Sequence, residues 1–113
     1  MAIIAVSASG KSLSDQVDFR FGRCLYFLFY NLDNDQFKVV SNSAGQEARG
    51  AGIMAAQLVV DNQAQAVIAG NFGPNAVRVL RASKIEIFTA PGMTVKKALD
   101  QYKKGKLNHF NQW

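Results

Sequence analysis

Asp18-Phe19-Arg20-Phe21-Gly22-Arg23 sets two guanidinium groups around a glycine, with an aromatic ring on each side of Arg20. Guanidinium groups donate in a fixed planar array and lose less on desolvation than ammonium groups, so such a loop suits an anion. Phe19 and Phe21 could wall a pocket from water. The same residues support a plainer reading, in which Arg20 and Arg23 pair with Asp15 and Asp18 while both phenylalanines anchor the loop in the core. A second candidate is Gly70-Asn71-Phe72-Gly73-Pro74-Asn75, placed between a strand and a helix. Its glycines allow close backbone approach to a ligand, and a helix start presents free N–H groups to negative charge. A plain strand-to-helix turn needs similar residues. The third is Gly45 to Gly52, where Arg49 and Gly50 sit in a glycine-rich stretch that reads either as a lid or as an ordinary surface loop.

Other chemistries are poorly supplied. Ala5 to Ser12 reads AVSASGKS and ends like a phosphate-binding loop. Ala5 stands where that motif needs glycine, and no amphipathic helix follows Lys11-Ser12 to present its N-terminus. The only histidine, His109, falls in a polar tail, so no Ser/His or Cys/His nucleophile pair can be assembled in a core. A two-metal nuclease wants carboxylates on a central strand, and here Ser7 and Ser9 stand instead. The single cysteine, Cys24, excludes an internal disulfide and any all-cysteine metal site. At the start of an apolar strand it reads as a buried, inert thiol. The alternative is a soft ligand to one metal of a cluster, since the adjacent Arg23 would favour a thiolate.

The elements that must position these loops follow from periodicity. Ala2–Ser7 is a short β-branched run suited to a central strand. Leu25–Tyr30 and Phe37–Val40, joined by the turn residues Asn31 to Asp35, predict a hairpin. A helix is expected over Gly50–Val60, a strand over Ala66–Ala69, a helix opened by Pro74, and a strand over Ile85–Phe88. Val95, Ala98, Leu99 and Tyr102 then mark a last helix, with Thr94 as N-cap and Gly105 as its stop. The order β-β-β-α-β-α-β-α, with right-handed crossovers, predicts an α/β fold with a mixed five-stranded sheet of order 3-2-1-4-5 and strand 2 antiparallel. Its switch point falls between strands 1 and 4, where open α/β sheets bind ligands. Ser9, Arg20, Phe21, Gly22, Arg23, Arg49, Gly50, Gly70, Asn71, Phe72, Gly73 and Asn75 are therefore the candidate binding set.

At 113 residues the chain has room for one core, expected over residues 1–105, with 106–113 as a basic tail. Its charge of +5 at pH 7 favours an anionic partner. Much of that excess sits in Lys96, Lys97, Lys103, Lys104 and Lys106, however, where a solvated helix face tolerates it. Apolar residues make up 49%, with no run long enough to span a membrane. The first residues read as a strand and not as a signal peptide, so a cytoplasmic location is expected.

Phe21-Gly22-Arg23, the hairpin, Gly50 to Gly52 opening a helix, Gly70 to Ala76 (G-x-x-G-P-N-A) and Gly92 to Leu99 (G-x-T-V-x-x-A-L) occur in an order that resembles the dinitrogenase iron–molybdenum cofactor biosynthesis family, the NifX, NafY-core, NifB C-terminal and orange-protein group. The resemblance spans residues 3 to 102. It implies a ribonuclease-H-like sheet with three helices and a non-catalytic protein. Such a protein carries an anionic metal–sulfur cluster: the iron–molybdenum cofactor, its precursor, or a molybdenum–copper sulfide. Partners would be that cluster and the proteins that donate or accept it. Arg20, Arg23, Arg49 and the amides of Gly70 to Asn75 would supply diffuse positive charge and N–H donors, so electrostatic cradling is expected over direct ligation. The alternative is a nucleotide or nucleic-acid module using Gly10-Lys11-Ser12 and a basic tail with Phe110 and Trp113.

Overall fold

The computed structural model describes residues 2–47 and 49–113. Six strands form one sheet in the order β3-β2-β1-β4-β5-β6. They are β1 (Ile3–Ala8), β2 (Tyr26–Asn31), β3 (Gln36–Ser41), β4 (Ala66–Ala69), β5 (Glu86–Thr89) and β6 (Asn108–His109). The helices are α1 (Ala51–Asp61), α2 (Pro74–Ala82) and α3 (Val95–Lys103), and a single 3-10 turn covers Ser43–Gln46. β1 pairs antiparallel with β2 and parallel with β4, so the expected order and the switch point are both present.

Strand alternation sorts the core into two layers. Ala5, Phe27, Phe29, Val67, Ala69 and Ile87 face α1 and α2, whose Ala55, Ala56, Val59, Ala76, Val77 and Leu80 are buried there. Ile4, Val6, Ala8, Leu28, Ile68 and Phe88 face the opposite side, against Val95, Ala98 and Leu99 of α3 and Val17 of the loop after β1. That loop is held by main-chain pairing: Val17 N donates to Met93 O at 2.9 Å, Val95 N to Asp15 O at 2.8 Å, and Lys96 N to Leu13 O at 2.9 Å. α3 begins as expected, with the Thr94 hydroxyl accepting from Lys97 N at 3.1 Å, and Gly105 follows it with φ of 69°. It is tied to the hairpin where Lys103 Nζ reaches Tyr30 Oη at 3.2 Å and Tyr30 Oη donates to Asp35 at 2.6 Å.

The structure departs from expectation after α3. Residues 106–113 contain β6, which pairs antiparallel with β5, so the sheet has six strands and not five. Leu107 and Phe110 are buried, one on each face of the sheet. Lys106 and the polar residues around it made this stretch read as solvated, but Leu107 and Phe110 dock it. His109 accordingly stacks beside Phe88 at 4.4 Å and meets Glu86 at 3.5 Å. No helix among the described residues is long and apolar enough to cross a membrane.

Candidate functional site

The carboxyl ends of β1 and β4 are adjacent at the switch point. Ala8 pairs with Tyr26, and Tyr26 with Ser41, so the chain also leaves β3 at this end of the sheet. Asp18 spans the switch point with its main chain. Its N–H donates to Ser7 O at 2.9 Å, while its carbonyl accepts from Ser7 Oγ at 3.0 Å and from Gly70 N at 3.1 Å. The next residues run beside the turn after β4: Arg20 and Asn71 form a parallel bridge, and Phe21 N donates to Asn71 O at 3.3 Å. Two loops that are far apart in sequence thus lie side by side on the rim.

Between them is an open groove of about 300 Å³, lined by Phe19, Arg20, Phe21, Gly22, Asn71, Phe72, Gly73 and Trp113. Phe21 points down into the core, with its ring 5.4 Å from Phe27 and 5.1 Å from Phe72. Phe19 remains 58% exposed, so of the two phenylalanines only Phe21 is the anchor that the plainer reading required. Arg20 N donates to Asp18 Oδ1 at 2.9 Å, and its Nε stands a loose 3.8 Å from the same oxygen. The Arg20 side chain is 66% exposed and free to turn toward a ligand.

Arg23 does something else. Its guanidinium donates to Gly45 O at 3.1 Å and to Glu47 O at 2.5 Å, tying down the loop after β3. It borders a separate hollow of about 360 Å³ with Cys24, Asn42, Gly45 and Gln46. The two arginines therefore do not form one fork, and neither pairs with Asp15. Cys24 is 1% exposed, and burial, followed by the nearby Asp18 charge, pushes its thiol up to about 12. Such a thiol stays protonated at neutral pH. Asn42 Nδ2 holds this corner together by donating to Cys24 O at 2.9 Å and Gly22 O at 3.2 Å, with its own Oδ1 buried and unpartnered.

Gly22 is small for a reason: a Cβ there would stand 3.1 Å from Gly52 Cα, so the arginine loop presses on the first turn of α1. A Cβ on Gly52 would in turn touch Ala76 at 3.4 Å, which places the starts of α1 and α2 side by side. Neither is capped by a side chain, and neither has an acidic residue in its first turn. Gly50, with φ of 72°, is the N-cap of α1, and Gly73 is the N-cap of α2 and lines the groove. Partial positive charge at these helix starts adds to that of Arg20.

The rest of the candidate set is not gathered here. Ser9 donates its hydroxyl to Gln16 O at 3.3 Å within its own loop. Arg49 and Asn75 are exposed but do not line the groove. Gly70 is buried under Phe19 and shapes the turn from below. Gly10-Lys11-Ser12 folds into a turn in which Asp15 Oδ2 accepts from Ser12 N and Ser12 Oγ, each at 3.0 Å, and no helix follows. That geometry offers no phosphate cradle. Sequence reasoning missed Trp113 as a lining residue; the only signal was Leu107 and Phe110, two apolar residues in a polar stretch. A hollow of about 300 Å³ at the opposite end of the sheet, beside Ile3, Asn31 and Gln63, has Lys38 as its only charged lining residue and contains none of the candidates. Among the described residues, no three His, Cys, Asp or Glu side chains cluster to hold a metal ion.

A small open α/β sheet with an open groove beside its switch point, lined by Arg20 and two glycines, has the architecture of the α/β domains that bind ligands at this place. Over residues 1–105 the chain matches the family model described as dinitrogenase iron-molybdenum cofactor, and it belongs to that family. The apo form of the orange protein from Desulfovibrio gigas is 32% identical, with a TM-score of 0.93 over 99% of this chain and 98% of that one. A Thermotoga protein assigned to NifB is 33% identical, with a TM-score of 0.88 over 100% and 97%. An uncharacterized protein of Methanocaldococcus jannaschii is 28% identical over 93 residues, 80% of this chain and 79% of its own.

Proposed function

We propose that this protein binds and carries a preformed anionic metal–sulfur cluster, of the iron–molybdenum or molybdenum–copper sulfide type, without covalent catalysis. The carrying observation is the juxtaposition of Arg20 with the Asn71–Gly73 turn around one open groove. A polynuclear sulfide spreads several negative charges over many weakly basic sulfur atoms. Diffuse cationic groups and main-chain N–H donors match that distribution better than a few hard ligands. Arg20 supplies the mobile charge and the α2 start the fixed dipole. The aromatic rings reduce the local dielectric, which strengthens both.

Retention is then electrostatic, and cargo can leave without breaking a metal–protein bond, which suits passage between a donor and an acceptor protein. Mixing the apo-protein with tetrathiomolybdate and Cu(I) under anaerobic conditions tests this. A visible chromophore that co-elutes on gel filtration, and is lost in Arg20→Ala, is the expected result. No retained colour, or retention indifferent to Arg20, rejects the reading.

A further inference from the structure

The chain after β6 returns to the groove. Phe110 sets its ring edge-on to Phe72 at 5.2 Å, and its amide donates to Ile87 O at 2.8 Å. Arg81, on α2, donates from its guanidinium to the carbonyls of Phe110 at 3.4 Å, Gln112 at 3.1 Å, and Trp113. Trp113 then donates its indole N–H to Phe72 O at 3.0 Å, inside the turn that carries Asn71 and Gly73. One side chain thus holds residues 110–113, and Trp113 lies against the candidate site.

Trp113 is placed but not consumed by this arrangement. It remains 64% exposed, as Phe19 does at 58%, and both line the groove that holds Arg20. A guanidinium group that shares a groove with exposed aromatic surfaces is an unusual setting for a hard oxyanion, whose strongly hydrated oxygens lose water against rings that donate nothing. Soft, polarizable sulfur behaves differently: sulfur atoms make favourable contacts with aromatic rings, and a sulfide cluster spreads its charge thinly. The indole N–H is already engaged by Phe72 O, so Trp113 offers a guest its ring surface and not its donor.

We propose that Trp113, positioned by Arg81 through residues 110–113, is a ligand-contacting wall of the groove that favours soft sulfide polyanions over oxyanions of equal charge. This rests on the carrier reading and adds to it a specificity-determining residue. Arg81 does not line the groove and acts through the segment that it holds.

Trp113 is the sole tryptophan, so its emission reports on this site alone. The full chain is titrated with tetrathiomolybdate plus Cu(I), and separately with tetrathiomolybdate alone and with molybdate, two anions of equal charge, while molybdenum retained after gel filtration is measured by elemental analysis for wild type, Trp113→Ala, Trp113→Phe and Arg81→Gln. Trp113→Ala is expected to weaken thiomolybdate–copper retention about tenfold, as expected for truncation of a well-placed aromatic contact. Trp113→Phe should restore most of it, and the preference for tetrathiomolybdate over molybdate should fall in Trp113→Ala; an unchanged preference overturns the selectivity assigned to the wall. In free Arg81→Gln, acrylamide should quench Trp113 more efficiently than in wild type, with intermediate colour retention. Thermal melts by circular dichroism establish that each variant is folded. Wild-type retention by Trp113→Ala overturns the role of the wall while leaving the carrier reading intact. Unchanged acrylamide quenching in Arg81→Gln overturns the positioning role. Failure of wild type to retain colour overturns the carrier reading and this inference together.

Discussion

A methyl group on Gly70 would stand 2.5 Å from the Cα of Phe19, so the turn after β4 and the arginine loop meet main chain to main chain. The Asp18 carbonyl that accepts from Gly70 N depends on this closeness. Gly70→Ala cannot be absorbed by a side-chain rotation, because the obstacle is backbone. It should destabilise the fold by about 1–3 kcal/mol, the usual cost of overpacking, and push Arg20 away from Asn71. Urea unfolding gives the first number, and thiomolybdate–copper retention should fall with the second.

Arg20 and Arg23 should separate cleanly in experiment. Arg20→Ala removes an exposed side chain whose ion pair with Asp18 is a loose 3.8 Å, so the melting temperature should hardly move while cluster retention drops. Arg20→Lys should recover part of the retention, since it keeps the charge but loses the planar donor array. Raising NaCl from low concentration to above physiological strength should weaken wild-type retention more steeply than that of Arg20→Ala. A salt slope equal in both proteins contradicts an electrostatic role for Arg20.

Arg23→Ala should act on the loop after β3. Loss of two hydrogen bonds to the Gly45 and Glu47 carbonyls should cost about 1 kcal/mol and loosen residues 42–50. Limited proteolysis should then cut faster within that loop, with any loss of cargo following from the loosening. An intact proteolysis pattern combined with lost retention would instead place Arg23 against the ligand.

Cys24 should be silent at neutral pH. Its thiol is held up to about 12, chiefly by burial, from an ordinary value of 9.0. Ellman's reagent should therefore react slowly with native protein and quickly once urea unfolds it. Cys24→Ala should retain the cluster. The folded state keeps its proton where the unfolded thiol would lose it, so this group's contribution to stability is complete below pH 9. It diminishes as pH rises from there toward 12, and more of the alkaline destabilisation should disappear in Cys24→Ala than in a surface control. Rapid native labelling at pH 8 would contradict the buried, protonated thiol.

The pattern of the chain already contained the helices and their caps and, with the right-handedness of crossovers, the order of the first five strands. Thr94, Pro74 and Gly105 each act on residues within one turn, and the alternation along β1 and β2 is a property of those segments alone. Convergence of the Arg20 loop with the Asn71 turn was also legible, because parallel β1 and β4 must release their loops at the same end. The roles within that rim were not. Arg20 and Arg23 look equivalent at a spacing of three, yet one faces the groove and the other braces a loop, since the main chain turns over Gly22 against Gly52. Ser9 looked like a rim residue and is satisfied by Gln16 inside its own loop.

Local sequence thus determined five strands of the sheet, the helices and the type of charge brought to the switch point, because those depend on periodicity and on turn chemistry between neighbours. Only the tertiary structure decided which guanidinium group is available and that Trp113 reaches the groove. Those outcomes depend on contacts across the fold, such as Arg81 with Gln112 and Phe110 with Phe72, whose energies appear only after the layers have packed.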